Sequence, residues 1–106
     1  MNPDHERLAA QYPALKHLAR AYLHQDYDLE YATPADAVDD FLSGSPDQAP
    51  QLVTEIERAL AEFASEEETK VFVVDALDSY YQCDKDGLTY RDWLASVADR
   101  AREAGF

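Results

Sequence analysis

Between Ala21 and Glu57 this chain has no lysine or arginine, although nine acidic residues stand there: Asp26, Asp28, Glu30, Asp36, Asp39, Asp40, Asp47, Glu55 and Glu57. Bases are scarce in the whole chain too, 9 against 22 acids, for a formal net charge of -13. A bare nucleic acid or an anionic membrane would meet mostly like charge, so neither is an expected partner. The only clustered bases are Lys16 with Arg20 and Arg100 with Arg102. Cysteine occurs once, as Cys83, which excludes an intrachain disulfide and fits a reducing compartment. No apolar run approaches the ~20 residues that cross a bilayer. The opening MNPDHERLAAQ has neither the basic start nor the apolar stretch of a signal peptide. A cytoplasmic protein is therefore expected.

Glycine and proline are few, three and five, and most of them stand where a helix would start or stop. Hydrophobic residues at 46% and charged residues at 29% describe a globular chain, and 106 residues predict one domain, 1–106, with a single modest core. The pattern predicts an all-α fold: a compact bundle of five to six short helices with no sizeable sheet, monomeric when free. A short helix over residues 4–11 precedes one that follows Pro13, with Leu15, Leu18, Ala19 and Tyr22 on one face. Thr33-Pro34 is a capped helix start with Asp36 in its first turn, and Val38, Phe41 and Leu42 face inward until Ser43-Gly44-Ser45-Pro46.

From about Pro50 to Phe63, Leu52, Ile56, Ala59, Leu60 and Phe63 form an apolar stripe opposite Glu55, Arg58 and Glu62. Ser65 with Glu68 is a capping box, so Val71-Phe72-Val73-Val74 is read as helix, with a strand as the alternative. In a helical reading Val73, Val74, Leu77, Tyr80 and Tyr81 make a wide apolar surface. Gly87 marks a loop. Thr89 then caps a last helix that turns Tyr90, Trp93, Leu94, Val97, Ala98 and Ala101 inward.

The block from His24 to Tyr31 alternates from Asp26 onward, with Tyr27, Leu29 and Tyr31 on one side and Asp26, Asp28 and Glu30 on the other. It reads as an extended connector whose aromatics cover the end of a helical core. Phenol rings among carboxylates also suit lysine and arginine side chains, because tyrosine offers area at small entropy cost and the acids offer charge-assisted hydrogen bonds. Asp26, Tyr27, Asp28, Glu30, Tyr31, Asp36, Asp39, Asp40 and Glu55 are accordingly the candidate partner-binding residues.

Chemistry beyond binding finds no set of groups to carry it. His17 and His24 lie seven apart, but a closed zinc site needs four ligands and no cysteine pair or third convergent histidine joins them. Asp84-Lys85-Asp86-Gly87 fails as a calcium loop: with Gly87 sixth, the first position falls on Gln82 and the twelfth on Trp93. It reads as a turn. Cys83 has Asp84 and Asp86 beside it, which raise a thiol pKa. There is no glycine-rich phosphate loop and no serine elbow. Catalytic, cofactor and metal residues are thus expected to be none.

At Tyr12-Pro13-Ala14-Leu15, at His24-Gln25-Asp26-Tyr27-Asp28-Leu29-Glu30-Tyr31, at Ala37-Val38-Asp39-Asp40-Phe41-Leu42 and at Gly87-Leu88-Thr89-Tyr90-Arg91-Asp92-Trp93-Leu94, the chain resembles the immunity proteins of bacterial contact-dependent growth inhibition systems. The resemblance covers roughly residues 12 to 98; members often carry tryptophan where Tyr27 stands. It implies a helical cytoplasmic protein that binds and blocks the toxin domain of a cognate effector, often a nuclease. A nuclease site is basic because its substrate is polyanionic, so an acidic inhibitor complements it. The resemblance also implies that shared residues such as Asp26, Tyr27, Asp28 and Asp40 hold the scaffold, while Asp36, Asp47, Glu55 or Glu62 meet the toxin. The competing function is an acidic adaptor or nucleic-acid mimic that regulates a basic host protein.

Overall fold

Prolines and hydroxyl caps set where most of the helices begin. The computed structural model describes residues 3–106, and among them it holds seven α-helices and no strand. Helix α1 (Pro3–Ala10) leads to α2 (Pro13–His17), whose first position is proline and which runs on as a π-helical turn, Leu18–Tyr22. Helix α3 (Tyr27–Glu30) is one turn long. Thr33 Oγ1 accepts from Asp36 N at 3.2 Å and opens α4 (Pro34–Gly44). Helix α5 (Ala49–Glu62) follows; Ser65 Oγ then accepts from Glu68 N at 3.1 Å and opens α6 (Glu66–Val71), which is prolonged by a second π-helical turn, Phe72–Ala76. After a 3-10 turn, Cys83–Asp86, Thr89 Oγ1 accepts from Asp92 N at 3.0 Å and opens α7 (Tyr90–Glu103).

The all-helical class is as the pattern predicts, with more helices than five to six. The stretch 71–74 is helical, α type at Val71 and π type from Phe72 onward. That helix stops sooner than its apolar surface suggests. Asp78 adopts a left-handed φ of 62° and Tyr80 N donates to Leu23 O at 3.0 Å, so the chain turns away and leaves Tyr80 52% exposed while Tyr81 stays buried. His24–Tyr31 is the second departure. It is no extended connector, because Tyr31 N closes a helical bond to Tyr27 O at 2.9 Å. A single helical turn cannot keep alternate residues on one side. Tyr27 and Tyr31 stay half-buried, and Leu29 is thrown outward, 82% exposed.

Helices α5 and α7 pack along each other through the middle of the molecule, where Leu52, Ile56 and Leu94 are fully buried. Burying each such side chain stabilises the fold by about 1.5–3 kcal/mol. Aromatic contacts extend this core to both sides. Phe72 stacks on Phe63 at 4.6 Å and meets Tyr12 edge-on at 4.8 Å; His17, Tyr22 and Phe41 form a second cluster with ring centroids 5.5 Å apart.

Two helix starts are satisfied by carboxylates from other helices. Glu55, on α5, accepts from Ala14 N and Leu15 N at 3.0 Å each, filling the donors that the first turn of α2 leaves open. Glu66, on α6, accepts from Tyr90 N at 2.7 Å and Arg91 N at 3.0 Å, and does the same for α7. Arg91 in turn donates to Phe63 O and to Leu60 O, where α5 ends. Glu55 is 3% exposed, which corrects its assignment to the polar face of α5. A negative charge that accepts two amides at a positive helix end is stable inside.

Candidate functional site

Six of the nine acidic residues of the lysine-free span, Asp26, Asp28, Glu30, Asp36, Asp39 and Asp40, stand at or on α3 and on α4, which packs against α3; Asp47 follows α4, and Glu55 and Glu57 lie on α5. Their states differ. Asp26, Asp28 and Asp36 are exposed and, among the described residues, make no ion pair. Asp36 owes its place at the start of α4 to the Thr33 cap, which fixes its backbone. Glu30 is exposed, with Oε1 3.1 Å from His24 Nε2, while His24 Nδ1 accepts from Asp26 N at 3.1 Å. The histidine thus contacts α3 at its start and at its last residue.

Tyr31 donates its hydroxyl to Asp40 Oδ2 at 2.6 Å, and that bond, chiefly, pushes the phenol up to about 12. Asp39 receives a bidentate contact from Arg100 on α7, at 2.5 and 2.7 Å, which holds its carboxyl below the usual carboxylate range. Arg100 is pushed up by the same hydrogen bonds. Of the nine candidate residues, therefore, Asp26, Asp28, Glu30 and Asp36 present exposed carboxylates, Tyr31 with Asp40 and Asp39 with Arg100 brace α4, Tyr27 is half-buried, and Glu55 lies inside under α2.

Tyr27 connects this face to α7. Its ring meets Tyr81 edge-on at 6.0 Å, and Tyr81 meets Trp93 at 5.7 Å. Burial first, then the charges of Asp28 and Asp86, raises the Tyr27 phenol. Tyr81 donates to Asp86 Oδ2 at 2.8 Å, so the Cys83–Asp86 turn adds a carboxylate to the same neighbourhood. Asp86 and Tyr81 thus adjoin Tyr27 although the sequence pattern did not assign them to the candidate set. Asp86 reads as a turn residue, and no local periodicity brings residue 86 beside residue 27.

The groups gathered here are carboxylates and aromatic rings. Cys83, the one cysteine, is buried; burial first, then the charges of Glu66 and Asp84, pushes its thiol up to about 12. Its Sγ points to Leu88 O at 3.8 Å and is no nucleophile at neutral pH. Among the described residues no cluster of three His, Cys, Asp or Glu side chains is placed to hold a metal ion. Among them also, no helix is long and apolar enough to cross a membrane.

The fold is all-helical and carries acidic residues and half-buried tyrosines on α3 and α4. The CdiI immunity protein family model matches residues 11–101, so the chain belongs to that family of contact-dependent growth inhibition immunity proteins. Comparison with curated proteins gives no match, and comparison with solved structures gives none either.

Proposed function

We propose that this protein neutralises a cognate bacterial toxin domain in the cytoplasm by binding it stoichiometrically and covering its working surface, without catalysis. The toxin domain is basic, as a nuclease is, and the inhibitor is a monomer before it binds. The observation that carries this reading is the exposed set of Asp26 just before α3, Asp28 on it and Asp36 on α4, a surface where no base of the same span offsets them. Membership of the immunity family supplies the class of partner. Opposite fields raise the association rate, and the effect is screened by salt.

Stopped-flow mixing with the toxin domain encoded by the adjoining gene tests this. Association should slow as salt rises. The triple substitution Asp26→Lys, Asp28→Lys and Asp36→Lys should slow it about tenfold or more at low salt in a protein that still unfolds cooperatively. A rate indifferent to salt and to the triple change would refute the steering surface, and absence of any complex would refute the function.

A further inference from the structure

Beside the acidic face lies a groove of about 230 Å³ between the start of α4 and the middle of α7. Its floor is Val38, Tyr81, Trp93 and Val97, all held almost wholly within the protein and hence fixed in shape. Ala35 forms one wall, and Leu88 stands at the rim 42% exposed. Two carboxylates stand next to lining residues: Asp86 accepts the hydroxyl of Tyr81 at 2.8 Å, and Asp36 follows Ala35 in the chain and acts on Arg100, a lining residue whose guanidinium is paired with Asp39.

We propose that this groove takes an aliphatic or aromatic side chain that the toxin domain presents between lysines or arginines, and that it anchors the complex. The inference rests on the toxin-binding reading and adds where the complex is held. Exposed charges speed encounter but are worth little in residence, whereas a rigid apolar pocket ringed by polar groups is where binding energy concentrates. Charge complementarity selects the occupant: the one charged lining residue, Arg100, is already paired with Asp39, and the charges beside the groove that are unpaired among the described residues are those of Asp36 and Asp86, so a basic flank finds opposite charge there and an acidic one does not. A larger depression of about 410 Å³, floored by Leu8, Phe63 and Phe72 with Val71 at its edge, lies outside the lysine-free span. It serves as the comparison site.

The experiment uses the full chain and the toxin domain encoded beside it. Trp93 is the one tryptophan, so 5-fluorotryptophan incorporation gives a single 19F resonance at the groove floor. That resonance should move when the toxin binds. Leu88→Asn and Ala35→Trp, which keep the net charge, should each weaken the complex about 100-fold through faster dissociation with the association rate unchanged. Val71→Asn at the comparison site should bind as the original does. An unmoved Trp93 resonance, wild-type dissociation in both groove variants, or loss of binding in Val71→Asn would overturn the groove while leaving toxin binding intact. Failure of the unsubstituted protein to bind would instead remove the toxin-binding reading, and the groove with it.

Discussion

Glu55 and Glu66 do from a distance what a serine or threonine does locally. Each places both carboxylate oxygens on two successive amides at the start of another helix. Removing either leaves two amides without an acceptor in a site that water reaches poorly, so Glu55→Ala should cost about 1–3 kcal/mol in urea unfolding, with Glu55→Gln costing less. The role of Glu55 was illegible in the sequence because its partners are 40 and 41 residues away. Helical periodicity reports which face a residue occupies, and on that evidence an acid opposite a leucine stripe faces water. Cys83, by contrast, was legible: two neighbouring aspartates already marked an unreactive thiol, and the structure adds burial.

The same thiol gives a pH dependence. Its folded pKa is raised to about 12, as is that of the Tyr31 phenol, above ordinary values of 9.0 and 10.0. The unfolded chain therefore releases these protons first as pH rises, and the stability they confer, present in full below about pH 9, is lost progressively toward pH 12. Urea midpoints measured across that window should fall. Labelling of Cys83 by a disulfide reagent at pH 8 should be slow in the native protein and accelerate with denaturant.

Among the elements, those that open on a local signal were readable: Thr33, Ser65 and Thr89 each receive the amide three residues on, as their sequence contexts predict. Those decided by tertiary contact were not. Alternation over Asp26–Tyr31 looks extended, but a lone strand with no partner leaves its amides and carbonyls unpaired, whereas a helical turn pairs them internally. The end of the helix after α6 was equally hidden, since it depends on Tyr80 N reaching Leu23 O. Gly87 sets the geometry between the Cys83–Asp86 turn and α7 with a φ of +80°. A Cβ there would meet nothing within 4 Å, so Gly87→Ala isolates backbone strain and should cost about 1 kcal/mol by thermal or urea unfolding.

For the molecule as a whole, most of the nine bases are held by other groups of the chain. Arg91 and Arg20 donate to carbonyls at helix ends, Arg58 lies 4.2 Å from the centre of the Tyr12 ring, and Arg100 and Arg102 pair with Asp39 and Glu57. The excess of 22 acids over 9 bases therefore remains as a net repulsive field. Salt should act in opposite directions on the two properties of this protein: raising it from low to physiological strength should increase the melting temperature slightly by screening self-repulsion, and slow association with the toxin. Calorimetry and stopped-flow on one preparation would measure both.

The junction where Glu66 holds the amides that begin α7 while Arg91 holds the carbonyls that end α5 joins three helices by their tips. A protease that clipped off the last helix would strip the carbonyls that end α5 of their donor and leave Glu66 without its amides in the same cut. Degradation in the cell should then run to completion once begun, with no nicked fragment surviving to compete for the toxin, and the protection given to the cell should track the amount of intact chain.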